Sequence, residues 1–495
     1  MFSSTISSIQ KNSQKILTMY KSKFNKTKIV ATIGPATASR EMLKSIILAG
    51  VDVCRINSSH GSYEDHLEVI KNIRSINEEL NSDVCILQDL QGPKLRLGMV
   101  EGEGVEVFDN QKLILTSKEM IGNAQMICIR YHDLARDVKP GEFILIDDGK
   151  IEVRVDKILN DTDVEATVIT GGILKSKKGF NLPHTDVSFP SLTEKDIRDL
   201  EFGLENDIEW IGLSFVRKAE DIIDLKNRIK ASGKITKVVA KIEKPEAVKN
   251  IDAIIEVTDA IMVARGDLGV EMPLQDLPII QKNIIEKCIN HAKPVIVATQ
   301  MMESMIVNPT PTRAEVSDVA NAVIDGADAV MLSAETSVGA FPVKVVETME
   351  KIIRDVEKDK RVYFKGVKPT SSSDTFISDE ICFTAVRMSD HLKAKSIVGM
   401  TRSGYSAVEI SSYRPRADIF IFTNNKPLLK SMSLVWGVRG FFYDEYVSTD
   451  QTFTDVLEVL KSNGLVKKDD IVIHTASMPI LKKSMANSIK ISVVD

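Results

Sequence analysis

The chain has 495 residues, too many for one ordinary core, so two to four domains are expected. It is 43% apolar and 27% charged, with no apolar run near the roughly 18 residues that cross a bilayer. A net charge of -5 gives no overall attraction to nucleic acid or anionic membrane, and five scattered cysteines without a Cys-x-x-Cys pair exclude a disulfide framework and a zinc site. Together these features predict a globular protein of a reducing, cytoplasmic compartment.

Residues 1–27 contain no Asp or Glu and no Arg. They read as a disordered leader, with Met19 as an alternative start. A transit peptide shares the acid-poor, Ser-rich look but prefers Arg.

From Lys28 onward, short apolar runs alternate with amphipathic helical stretches such as Glu41–Ala49, Tyr63–Leu80 and Gln281–His291. The runs are KIVATIG, VDVCRIN, DVCILQD, WIGLSFV, KVVAKIE, DAIMVAR, PVIVATQ and DAVMLSA. Repeated strand–helix units imply a parallel sheet with helical crossovers, and eight of them close a (β/α)8 barrel. Periodicity alone also describes a doubly wound sheet. The polar residues favour the barrel, because nearly every run ends in one: Arg55 and Asn57, Asp89, Ser214, Lys241 and Glu243, Asp267, Thr299, and Ser333 with Glu335. In a closed barrel these ends share one mouth, where barrel enzymes keep their active sites.

The third and fourth runs are separated by a long stretch in which β alternation replaces helical periodicity, as in KIEVRVDKI and DVEATVIT. It predicts an all-β domain, 93–186, inserted into a barrel formed by 28–92 and 187–360, and placed to act as a lid. Thr193 and Asp196 form a capping pattern that restarts a helix. A polar linker, 361–376, leads to a C-terminal α/β domain, 377–495, with strands near Ser396–Met400, Ile419–Phe422, Ile471–His474 and Ile489–Val493. Its first strand ends in Thr401, Arg402, Ser403, Gly404, Tyr405 and Ser406 before a helix, a composition that suits a phosphate ligand but also caps helices without one.

The stretch Lys237–Leu274 carries the clearest chemistry. Alternation puts Lys241 and Glu243 on one side of a strand, about 7 Å apart. A cation and a carboxylate there are costly to bury unless they pair or hold a ligand. Mg2+ typically takes one or two protein carboxylates, which fits Glu243 and Asp267. Arg55, Arg96 and Lys241 suit a phosphoryl group in transfer, and Gly266 and Asp267 open a short helix whose N–H groups suit a carboxylate. There is no P-loop and no kinase Gly-rich loop.

The motifs TKIVATIGPA, CRINSSHG, KIEKPEAV, ARGDLGVE, VATQMMESM and PTRAEVSDVANAVIDGADAVMLSAET together resemble the pyruvate kinase family, from about Lys28 to the C-terminus. The resemblance implies synthesis of ATP and pyruvate from phosphoenolpyruvate and ADP, the last step of glycolysis, with Mg2+ or Mn2+, by a homotetramer. It implies that Arg55 contacts the transferring phosphoryl group and that Lys241 stabilises its transition state and the enolate. Glu243 and Asp267 bind the metal, while Gly266, Asp267, Thr299 and Ser214 meet the substrate. Thr299 lies near the carbon that is protonated, with Ser333 the weaker proton-donor candidate. Asn57, His60, Arg96 and, from the lid, Lys178 match nucleotide-binding positions.

Many members read T-K-G-P-E after the third strand and need K+, held near the equivalents of Asn57, Ser59 and Asp89. This chain reads Leu90, Gln91, Gly92, Pro93 and Lys94. It thereby resembles the K+-independent branch, with the Lys94 ammonium as a substitute cation. Thr401, Ser403, Gly404 and Ser406 match the family's effector-phosphate loop, although Tyr405 stands where members activated by sugar bisphosphates often carry Arg. Two other readings are a Mg2+-dependent barrel lyase or aldolase acting on pyruvate or phosphoenolpyruvate, and a catalytically inactive regulatory protein. The first lacks the insert with Lys178, and the second predicts a broken site.

Overall fold

A computed structural model describes residues 24–495 except 184, 186, 189, 446, 447 and 480–483. The expected leader lies outside the described residues up to position 23. Its last residues, by contrast, are packed: Lys26 Nζ donates to the Ala417 carbonyl at 3.0 Å, and the Thr27 N–H to Glu357 at 2.6 Å.

Eight parallel strands close a barrel: β1 (Lys28–Ile33), β2 (Val53–Asn57), β3 (Cys85–Asp89), β4 (Trp210–Leu213), β5 (Lys237–Ile242), β6 (Ala260–Ala264), β7 (Val295–Ala298) and β8 (Ala329–Leu332). Closure is made by β1 and β8, with Lys28 opposite Ala329. The strands are apolar on both faces because helices cover the outside while side chains fill the inside. One parity faces in, with Val30, Val53, Leu87, Val239, Met262 and Met331 in the interior cluster. The other parity, including Ile29, Cys54, Ile86, Ala240 and Val263, packs under the helices. Continued to the strand ends, the inward parity delivers Thr32, Arg55, Asp89, Ser214 and Lys241 to the mouth.

Helix starts follow local sequence. Ser62 with Asp65, Thr193 with Asp196 and Thr312 with Glu315 each form a reciprocal capping box. The second of these restarts the barrel after the insert.

The insert is a separate all-β unit. Its six-stranded sheet runs from Phe180–Asn181 through Phe143–Ile146, Ile151–Ile158, Asp163–Thr170 and Lys112–Thr116 to Met126–Cys128, over its own core. The C-terminal domain has five strands in a sheet. Four match the sequence expectation; the fifth, Val438–Phe442, was missed because Gly440 and Arg439 interrupt its apolar character.

This domain seals the bottom of the barrel. Leu434 belongs to the barrel's interior cluster, and Trp210 Nε1 donates to the Ser431 carbonyl at 3.2 Å. A buried ion pair fixes the seam: Arg414 Nη2 lies 2.8 Å from Asp328 Oδ2 and 2.7 Å from the Gly326 carbonyl. Asp328 also accepts the N–H groups of Val295 and Trp436. Removing one partner of such a pair strands a buried charge. Arg414→Met is therefore expected to destabilise the protein by about 3–5 kcal/mol, read from denaturant midpoints of variant and parent.

Candidate active site

The inward residues at the ends of β2 to β5 build one buried charge cluster. Asp89, almost fully enclosed, is its centre. Arg55 reaches it twice, with Nε 2.7 Å and Nη2 2.6 Å from Oδ2, while Nη1 donates to Thr32 Oγ1 at 2.9 Å. Lys241 Nζ lies 3.1 Å from Asp89 Oδ1, 2.8 Å from Glu243 Oε1 and 2.7 Å from Ser214 Oγ. All three of its protons are thus directed. Ser214 Oγ in turn donates a hydrogen bond to the Leu90 carbonyl at 2.7 Å.

Glu243 is oriented from two sides, since its Oε2 accepts the Phe215 N–H at 2.7 Å. Phe215 adopts φ of +54°, an uncommon geometry for an aromatic residue, which places that N–H at the carboxylate. Burial pushes the Asp89 carboxyl up, but Lys241 and then Arg55 outweigh it and hold the group below its usual value. Burial likewise works against the Lys241 ammonium, and Asp89 and Glu243 reverse this and raise it. Glu243 stays raised: burial dominates, and Asp267 adds repulsion to what Lys241 relieves.

A raised, buried carboxylate beside a second carboxylate is a site short of positive charge. The donor set suits a hard divalent cation, which takes oxygen ligands and here would find Glu243 and Asp267. Among the described residues no group of three or more His, Cys, Asp or Glu forms a metal cage. Mg2+, which keeps several waters and substrate oxygens, does not need one.

Beside this cluster, Thr299 Oγ1 accepts the Gly266 N–H at 2.7 Å and donates to the Ala298 carbonyl at 2.6 Å. Arg265 pins the loop by donating to the Thr299 carbonyl at 2.6 Å, and Asp318 holds Arg265 at 2.7 Å. Both Thr299 and Gln300 have positive φ, so the turn is held by these bonds. Asp267 follows Gly266 on the short helix Arg265–Glu271.

Other expected residues are spread around the mouth. Asn57 Oδ1 accepts the Ser59 N–H at 3.1 Å, and His60 stands exposed at the rim. Arg96 and Lys178 are engaged with the insert itself: Arg96 donates to the Lys177 carbonyl at 3.1 Å, and Lys178 pairs with Asp147 at 2.7 Å. Ser333 follows β8 and donates its N–H to Glu335 at 2.6 Å. Lys94 lines a cavity of about 30 Å³ between insert and barrel, with Asp148 and Asp267. Far away, Thr401 accepts the Gly404 N–H at 3.0 Å and Ser403 the Tyr405 N–H at 3.4 Å, so the loop's hydroxyls serve its own turn before the helix that holds Ser406. Tyr405 donates to Asp379 at 2.5 Å.

Sequence reasoning missed Thr32, which anchors Arg55, and Arg265, which anchors Thr299. For Thr32 a signal existed: it is a polar residue at an inward position of an otherwise apolar strand. The fixing of Arg265 by Asp318 joins residues too far apart in sequence to have been read.

A model of the pyruvate kinase barrel domain matches residues 24–346, and one of the pyruvate kinase alpha/beta domain matches residues 379–492. The chain belongs to the pyruvate kinase family. It is 42% identical over 476 residues to pyruvate kinase 2 of Synechocystis, spanning 95% of this chain and 79% of that protein. It is 39% identical over 477 residues to the pyruvate kinase of Clostridium acetobutylicum, spanning 95% and 100%. In structure it is similar to a pyruvate kinase from Cryptosporidium parvum, with a TM-score of 0.89, 34% identity and 97% of each chain covered. The closed barrel, the all-β insert and the C-terminal α/β domain are the architecture of this family, and the chain is a phosphotransferase.

The depressed Asp89 carboxyl makes the cluster's stability depend on pH. Its contribution is present above the unfolded value of 3.8 and is lost as pH falls through the lower folded value. Asp89→Asn, which leaves Arg55 and Lys241 short of a counter-charge, is expected to cost about 3–5 kcal/mol at neutral pH. The gap from the parent should narrow as the pH of urea titrations is taken below 3.8.

Proposed function

We propose that the cluster around Asp89 transfers the phosphoryl group of phosphoenolpyruvate to ADP, giving pyruvate and ATP. The observation that carries this reading is the position of Lys241, an ammonium held charged in a buried site by Asp89 and Glu243. A fixed cation there stabilises charge where it develops, on the transferring phosphoryl group and on the enolate oxygen as the ester P–O bond breaks. Arg55, braced by Asp89 and Thr32, turns its remaining donors to the phosphoryl oxygens. Gly266 and Thr299 meet the substrate carboxylate, and Ser214 keeps Lys241 directed. Glu243 and Asp267 are the residues that would hold Mg2+ or Mn2+. Such an ion supplies a Lewis acid toward phosphoryl and enolate oxygens.

Pyruvate forms when the enolate carbon gains a proton. Thr299 has its own proton on the Ala298 carbonyl, so donating it requires the hydroxyl to rotate; Ser333 is the second candidate donor. Asn57, His60, Arg96 and Lys178 are assigned to the nucleotide. The last two act from the insert, so the insert works as a lid that excludes water from the phosphoryl group.

We assign the chain to the K+-independent branch. The side chain of Leu90 offers no oxygen, and Asp89 is already neutralised by Arg55 and Lys241. Lys94, an exposed residue at the lid hinge on the wall of a cavity that Asp267 also lines, supplies the monovalent charge. A homotetramer of cytoplasmic location, with a phosphorylated effector at Thr401, Ser403, Gly404 and Ser406, completes the proposal.

Pyruvate formation from phosphoenolpyruvate should depend on ADP and a divalent cation, and Lys241→Met should lower kcat by at least about 100-fold. ADP-independent pyruvate release would point to a lyase instead. Replacing a bulky organic cation by K+ should change the rate less than about tenfold, while Lys94→Gln should make the enzyme respond to K+. A K+ requirement in the parent would refute the branch assignment.

A further inference from the structure

Between the lid and the charge cluster lies a second buried ion pair that the reaction does not use. Lys244 Nζ is 2.6 Å from Glu271 Oε1, and both side chains are almost completely enclosed. The same oxygen accepts Nδ2 of Asn181 at 2.7 Å. Among the described residues, Glu271 Oε2 is buried without a hydrogen-bond partner. The carboxylate therefore gathers two donors on one oxygen and leaves the other bare, a costly arrangement for an inert surface contact.

What the three residues are attached to gives the arrangement its meaning. Lys244 immediately follows Glu243. Glu271 ends the short helix that begins at Arg265 and carries Asp267. Their ion pair ties together the two backbone segments that present the two carboxylates. Asn181 belongs to the lid's sheet, where it pairs with Leu145 in the strand Phe143–Ile146. It thus moves with the lid's folded body. The cavity of about 30 Å³ beside them is lined by Asn181, Phe215, Lys244, Asp267 and Glu271, and has room for one water or a small shift of these groups.

We propose that Glu271 is a positioning residue that couples lid position to the spacing of Glu243 and Asp267, through one carboxylate oxygen shared by Lys244 and Asn181. When the lid carries Asn181 against Glu271, the ion pair with Lys244 is held and the two segments that carry the carboxylates are kept together. When the lid swings away, Glu271 loses a donor, and the pair is free to relax toward the bare oxygen. Lid closure and cation binding then favour each other, and each strengthens the other by the same factor. The inference rests on the assignment of Glu243 and Asp267 as the cation pair.

The full-length protein can be tested with Mn2+ alone, by counting free ion from its electron paramagnetic resonance signal and by following amide hydrogen exchange in the lid strands. Glu243→Gln checks the underlying assignment: unaltered Mn2+ binding in this variant would remove the cation pair itself. With that control satisfied, Asn181→Leu is expected to weaken Mn2+ binding by about 10-fold or more, the size of one hydrogen bond to a charged group. It should also abolish Mn2+-induced protection of residues 143–146 and 180–181. Glu271→Gln keeps an acceptor for Asn181 but removes the counter-charge of Lys244, and should weaken Mn2+ while lid protection persists in part. Asn181→Gln, which retains the amide, should restore most of the affinity. A lowered melting temperature in Asn181→Leu with parental Mn2+ affinity and parental lid protection would mean that the contact is structural, and would overturn the proposal.

Discussion

Asp89 is the constraint on which the mouth of the barrel depends. It is a carboxylate taken out of water at the end of β3, and such a group is tolerated only when it is paired and fully hydrogen-bonded. Two cations meet this demand, Arg55 from β2 and Lys241 from β5. Each is held by Asp89 in the position from which, under the proposed function, it addresses the substrate. The active-site charges are preorganised by a residue that need not touch the substrate.

The charge balance of the site follows from this. Asp89 and Glu243 face Arg55 and Lys241, and Asp267 remains as an added negative charge beside Glu243. An anionic substrate arriving alone would meet carboxylates. Arriving with a divalent cation, it brings two positive charges, one to offset the unpaired carboxylate and one to offset the substrate's own charge. Thr299 and Gly266 sit at the other side of this arrangement, fixed by Arg265. The two halves are built on different strands and share the helix at Arg265–Glu271.

Much of this was legible in sequence because the barrel obeys a period of two. The shared mouth of a closed barrel predicted that Arg55, Asp89, Ser214 and Lys241 at the strand ends converge, and they do. The insert was legible because alternation replaces helical spacing. What was hidden depends on contacts distant in sequence or made by backbone. The Phe215 N–H on Glu243 requires a positive φ that no residue type announced. Asn181, Lys244 and Glu271 meet only because the insert folds back over the mouth. The strand Val438–Phe442 was obscured by its own glycine and arginine. Lys26 and Thr27, placed in a leader by composition, are fixed by Glu357 and the Ala417 carbonyl, partners hundreds of residues away.

The chain contains two tryptophans, and both lie where the C-terminal domain closes the barrel floor. Trp210 is bonded to the Ser431 carbonyl and has the Lys237 ammonium over its ring. Trp436 lies beneath the Arg414 guanidinium. Neither borders the lid or the substrate. Tryptophan fluorescence in this protein is consequently an optical gauge of the floor seam, placed to report a change at the C-terminal domain rather than one in the insert.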